Sequence, residues 1–142
     1  MTGPAIAFAR ISVATLSLDT CISAVNSDDA GAVVTFAGVV RDHDGGRAVR
    51  SLDYEAHPTA GAAITSIAES VAAAFPGVRI AVEHRTGSLG VGDLALTCAV
   101  SSAHRAEAFA ACARLIDEVK LGVPIWKNQH FADGTTEWVG SL

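Results

Sequence analysis

Val78-Arg-Ile-Ala-Val-Glu-His84 and Leu94-Ala-Leu-Thr-Cys-Ala-Val-Ser101 read as two strands, and Gly87, Gly90 and Gly92 between them mark a tight, irregular connection. Upstream, Ala62 to Phe75 carries the apolar spacing of a helix, with Pro58 suited to its first turn and Pro76-Gly77 as its stop. Before that helix, Val49 to Ala56 alternates as a strand with Leu52 and Tyr54 on one face. Gly31 to Arg41 is rich in β-branched and apolar residues and is predicted to be a buried strand. Asp42-His43-Asp44-Gly45-Gly46 between them is a polar turn. At the N-terminal end, Ala5 to Leu16 alternates as a strand, and Ser17 is placed to cap a short helix from Leu18 to Asn26, with a turn at Ser27-Asp28-Asp29. Downstream, His104 to Val119 is an amphipathic helix whose apolar residues recur at three and four; Gly122 and Pro124 end it. Ile125 to Phe131 is a last strand, followed by a turn at Asp133-Gly134 and a short piece around Trp138. Strands outnumber helices and come in adjacent pairs. That pattern predicts an α+β domain, a largely antiparallel sheet with helices packed on one side, as a single domain over residues 1–142.

Composition narrows the function classes. The chain is long enough for a real core, and half of its residues are hydrophobic with few aromatics, so Ala, Val, Leu and Ile build that core. A formal net charge of −5 argues against a general nucleic-acid binder, and no apolar run is long enough to span a membrane. The opening Met-Thr-Gly-Pro has no charged leader before an apolar segment, which points to a cytoplasmic protein. Cys21, Cys98 and Cys112 are scattered with no CxxC pair, so no metal site is expected and buried, reduced thiols are.

Lysine usage is uneven. The chain has eight arginines and two lysines, and both lysines fall in Lys120-Leu-Gly-Val-Pro-Ile-Trp-Lys127. Arginine stays charged in nearly any setting, whereas a desolvated lysine can serve as base or nucleophile. Arg41 ends a strand beside a glycine-rich turn; His104 and Arg105 open the long helix, where free backbone N–H groups and the dipole favour an anion. Four cations, Arg41, Arg105, Lys120 and Lys127, in an acidic protein suit a phosphorylated or carboxylate ligand. Plainer explanations exist for each: Lys120 favoured by the helix dipole, Arg105 paired on the surface, Trp126 as core or interface, His84-Arg85 as a structural pair.

A continuous helix from His104 to Lys120 separates its ends by roughly 24 Å at about 1.5 Å per residue. No small ligand touches both ends of it. If both ends serve one reaction, a second copy completes the pocket, and a homodimer with shared sites is expected.

Five segments, taken together, resemble the large, catalytic subunit family of molybdopterin synthase (the MoaE family). They are Gly31-Ala-Val-Val-Thr-Phe-Ala-Gly-Val-Val-Arg41, Leu52-Asp-Tyr-Glu-Ala56, His84-Arg-Thr-Gly-Ser-Leu-Gly-Val-Gly92, Val100-Ser-Ser-Ala-His-Arg-Ala-Glu-Ala-Phe109 and Ile116-Asp-Glu-Val-Lys-Leu-Gly-Val-Pro-Ile-Trp-Lys127. Asp133-Gly134 and Trp138 extend the match, which runs from about Gly31 to Trp138. The resemblance implies an α/β-hammerhead fold with a small α+β part, and a sulfurtransferase that converts cyclic pyranopterin monophosphate to molybdopterin. Sulfur arrives on the C-terminal thiocarboxylate of a small ubiquitin-like sulfur-carrier subunit (MoaD-like), and no cofactor or metal is implied. It further implies a central homodimer with a carrier at each end.

By that resemblance Lys120 is the central catalytic group and Lys127 holds substrate and stabilises developing charge, while Arg41, His104 and Arg105 bind the phosphate. Val39, Val40, Asn128 and Gln129 line the pterin site. None of the cysteines matches a catalytic position, and the ending Gly140-Ser-Leu142 is not the Gly-Gly of a carrier. Two departures stand out. Gln129 occupies a position usually held by glutamate, and where a carboxylate could act as a base or orient a lysine, an amide can only hydrogen-bond. The usual aromatic-Pro-x-Met reads His57-Pro-Thr-Ala60. The competing readings are a non-catalytic module that binds an anion or a partner's tail, and a purely structural dimer that docks a ubiquitin-like protein.

Overall fold

The computed structural model describes residues 4–140; the expectations about an N-terminal leader and about the last two residues fall outside that range. The two runs that decide the fold class form the middle of a four-stranded sheet. β5 (Arg79–Arg85) and β7 (Leu94–Ser102) pair antiparallel, β1 (Ile6–Ser12) joins β5 in parallel, and β2 (Ala32–Val39) joins β7 antiparallel, in the order β1-β5-β7-β2. Strand alternation then sorts the side chains. Ile80, Val82, Leu96, Cys98 and Val100 enter the main core with α2 (Ala60–Ala74) and α3 (Arg105–Gly122).

Ala81 and Ala99 face the other way, against Cys21 and Val25 of α1 (Leu18–Val25). The expected packing of helices on one side therefore holds for α2 and α3 and fails for α1. Two alanines on the opposite face give a short helix room to approach the sheet. Ser17 caps α1 as expected, accepting from the Thr20 N–H at 3.3 Å, and Ser101 Oγ donates to the Val25 carbonyl at 2.7 Å, satisfying a helix-end acceptor.

β2 differs from its expected burial. It stands at the edge of the sheet, its side chains alternate half-buried and exposed, and Val33 and Val39 remain 41% and 49% exposed. An edge strand covered on one face only cannot bury every residue of a continuous apolar run. β1 is also shorter than expected: the chain turns out after Ser12, whose Oγ accepts from the Ala14 N–H, and it leaves Val13 in solvent.

The second sheet is built on β4 (Arg47–Ala56), flanked on one side by β8 (Ile125–Phe131) and then β9 (Thr136–Val139), all antiparallel. On its other side lie the short β3 (His43–Asp44) and β6 (Gly87–Gly90). β6 occupies the connection expected to be irregular. Leu89 pairs with Leu52 and is buried, and Gly87 and Gly92, at φ 97° and 90°, turn the chain at either end of this stretch. Gly45 and Gly46, both at positive φ, make the two-residue hairpin between β3 and β4. Leu52, Tyr54, Leu89 and Ile125 join the core formed by the first sheet, so the two sheets share one interior.

Candidate active site

The sheets meet around a cavity of about 470 Å³, whose walls come from β2, β4, β5, β7, β8 and the last turn of α3. Phe36, Gly38 and Val39 of β2 and Leu96 of β7 supply apolar wall; Tyr54 and His84 supply the buried floor; Arg41, Lys120 and Lys127 bring the cations. A smaller recess opens beside it, bounded by Val40, Arg41, His43, Lys127 and Gln129. Lys120 sits in the final turn of α3, exposed at the rim, with its Nζ 5.9 Å from the centre of the Phe36 ring, within cation–π range. Lys127 and Gln129 point the same way from β8, as alternation requires, and Gln129 is almost wholly buried.

The fold brings together Val39, Val40, Arg41, Lys120, Lys127 and Gln129 of the residues expected at the site. Asn128 does not join them. It lies between two cavity-facing residues of β8, and its Oδ1 is buried with no hydrogen-bond partner among the described residues. That opposite face carries a different cluster, in which His130 Nε2 lies 2.7 Å from Asp53 Oδ2 and Ser88 Oγ donates to the same carboxylate. The aspartate stands between the serine and the histidine, so the histidine cannot activate that hydroxyl and the cluster is a cross-strand tie. His104 and Arg105 are absent from the cavity lining as well. They are exposed at the far end of α3, His104 as an extended N-cap residue and Arg105 as the first residue of the helix. A span of roughly 22 Å from Arg105 to Lys120 follows from the helical rise.

Sequence reading missed the roles of three residues here. Tyr54 lines both spaces, and its hydroxyl is pushed above its ordinary pKa by burial. His84, read as half of a structural pair, forms part of the cavity floor, stacked edge-on to Tyr54 at 4.9 Å. Its alternation with Ile80 and Val82 carried the signal, because those residues face the same core. Burial lowers its pKa to about 4, opposed by the contact of Nδ1 with the Arg85 carbonyl at 2.7 Å. A carbonyl only accepts, so Nδ1 carries the proton of a neutral ring and the second nitrogen is bare. The third is Asp44. Its Oδ2 accepts from Gln129 Nε2 at 2.8 Å, and its Oδ1 lies 3.4 Å from an Arg41 nitrogen. The Gln129 hydrogen bond, with smaller contributions from Lys127 and Arg41, holds this carboxyl below the usual range.

A cationic cavity with a neutral imidazole and a buried tyrosine at its floor fits an anionic ligand with a polar ring system. The family described as MoaE protein matches residues 11–121. The chain belongs to the MoaE family. It is 42% identical over 134 residues to molybdopterin synthase catalytic subunit 1 of Mycobacterium tuberculosis, covering 94% of this chain and 90% of that one. It is 40% identical over 131 residues to the molybdopterin synthase catalytic subunit of a Nostoc species, covering 91% of this chain and 79% of the relative. The fold matches the crystal structure of molybdopterin synthase from Staphylococcus aureus with a TM-score of 0.87 at 32% identity, over 93% of this chain and 96% of that one. The MoaE fold thus accounts for the α+β architecture. Among the described residues no helix is long and apolar enough to cross a membrane, and no group of histidine, cysteine or carboxylate residues could hold a metal ion.

Proposed function

We propose that this MoaE chain is the catalytic subunit of a molybdopterin synthase. It would convert cyclic pyranopterin monophosphate to molybdopterin with sulfur from the C-terminal thiocarboxylate of a small ubiquitin-like carrier. The observation that carries the reading is the convergence of Arg41, Lys120 and Lys127 on one cavity in a chain whose relatives bear that name. Each transfer breaks the carrier's thiocarboxylate C–S bond and a C–O bond of the pterin side chain and forms a C–S bond on the pterin; the displaced oxygen stays with the phosphate or departs as water, and water adding to the acyl carbon releases the carrier as carboxylate. Both the incoming tail and the phosphorylated pterin are anionic, and converging cations suit both. Lys120, at the rim, meets the thiocarboxylate and moves protons; Lys127, set deeper on β8, holds substrate and stabilises developing negative charge. Arg41 takes the phosphate.

A homodimer belongs to the same proposal. His104 and Arg105 stand at the wrong end of α3 for their own cavity, and the outward face of the edge strand β2 leaves Val33 41% exposed. A two-fold partner would bring the first pair to the neighbouring cavity. A cytoplasmic setting is part of the reading too, supported by three buried, unbridged cysteines.

Reconstitution tests the proposal. The pure protein, a thiocarboxylated carrier and cyclic pyranopterin monophosphate should yield dithiolene product. Lys120→Ala should abolish turnover, and Lys120→Arg should bind the pterin phosphate yet fail to turn over, because arginine does not release a proton. Normal turnover by Lys120→Ala removes that residue from the mechanism; binding without product in the wild type favours a non-catalytic module.

A further inference from the structure

Within the cation cluster one negative charge stands out. Asp44 ends β3, where the Gly45-Gly46 hairpin fixes it opposite Arg47. Gln129 reaches it from β8, a strand remote in sequence, and is only 2% exposed. A carboxylate accepts only, so Gln129 must present its amide NH₂, and the pair holds a single negative charge across two side chains. Arg41 contacts the other carboxylate oxygen. The remaining charged neighbours are accounted for. His43, on the same strand, has its Nδ1 2.8 Å from Asp42; Arg47 turns to Asp133 and Glu137; Lys127, from β8, acts on Asp44 through space.

We propose that Asp44, held by Gln129, is the positioning carboxylate of this site. It sets the direction of the Arg41 guanidinium and supplies the counter-charge that keeps Arg41 and Lys127 close together in the absence of substrate. Without it, two cations facing one recess repel and spread. The buried amide makes the arrangement specific: a residue only 2% exposed donates at 2.8 Å to one oxygen of a carboxylate that is itself 39% exposed, and so fixes its orientation.

A charge-swap series tests this, and its kinetic arm rests on the function proposed above. Asp44→Asn removes the charge. Gln129→Glu sets two carboxylates at hydrogen-bond distance, where both cannot stay ionised. The double variant Asp44→Asn/Gln129→Glu restores one charge and one N–H···O bond with the direction reversed. We expect each single variant to lose roughly tenfold or more in kcat/KM and the double variant to return to within about threefold of wild type. A second readout needs no turnover. The chain has two lysines, so ¹³C-lysine labelling gives two side-chain signals at neutral pH. Asp44→Asn should displace the Lys127 signal and leave that of Lys120 in place, and the double variant should reverse the change. Wild-type protein that fails to turn over defeats the functional reading while the lysine signals still test Asp44. Wild-type kinetics in Asp44→Asn, a folded double variant no better than the single ones, or a Lys127 signal indifferent to Asp44 overturns the proposal.

Discussion

His84 offers a test of the cavity floor by acid alone. It is 1% exposed, its neutral ring is fixed by the Arg85 carbonyl and by the edge of Tyr54, and its pKa falls from the ordinary 6.5 to about 4. In the unfolded chain the imidazole takes a proton near pH 6.5; in the folded one it resists until about pH 4. Between those values the unfolded state binds more protons, so stability is full above the unfolded pKa and falls as the pH drops toward the folded one. Linkage over this shift gives a loss of about 2 kcal/mol between pH 7 and pH 5, and about 3 kcal/mol once both states are protonated. The depressed carboxyls Asp29, Asp42, Asp44, Asp53 and Asp133 also lose stabilisation in acid, but their ordinary value is 3.8, so that loss belongs below about pH 5. Urea unfolding at pH 7 and pH 5, at one protein concentration, measures the difference. The wild-type midpoint should fall by roughly 1 M for an m-value in the usual range. His84→Gln should start lower at pH 7, because a packed ring is lost, and should show a shallower pH dependence. Parallel pH dependence in the two proteins would refute a buried neutral histidine.

Subunit complementation addresses the proposal of a site shared between two copies. Co-purified mixed dimers of a Lys120→Ala chain and a His104→Ala/Arg105→Ala chain should recover about half of the wild-type turnover, where each variant alone recovers little; no recovery in verified mixed dimers would count against it. Gly31 lies where the start of β2 crosses the loop before α3, and a methyl group there would sit 2.5 Å from the Ala103 carbonyl oxygen. Gly31→Ala should therefore cost about 1–3 kcal/mol in thermal or urea unfolding and shift the loop that carries His104.

The fold was legible wherever periodicity and turn chemistry agreed. β5 and β7 announce themselves by apolar runs, α3 by its three–four spacing, and the turn before β4 by Gly45-Gly46, although the short strand β3 inside that predicted turn was not foreseen. Three further features were not legible, for separate reasons. Composition does not say which strand lies at an edge, so the apolar run in β2 read as fully buried. Alanine gives no sign of which face a helix will choose, so the position of α1 against Ala81 and Ala99 was hidden. Glycines around Leu89 masked a short strand, because a single buried leucine sets no period.

The site divides along the same line. Lys120 and Lys127 stand out by scarcity in the sequence, and Arg41 by its place at a strand end; the cavity holds all three. Asp44 had no such signal. It lies in a turn-like Asp-His-Asp-Gly-Gly stretch, and its relation to Gln129 exists only because β3 and β8 flank β4 in the second sheet. Gln129 by itself reads as the loss of an acid. Paired with Asp44 it reads differently, since its amide donates to a carboxylate carried on β3, on the far side of β4 from β8. A substitution at one position of a packed polar pair thus has no meaning until its partner is known, because the field at Arg41 and Lys127 depends on where the charge lies and not on which residue bears it.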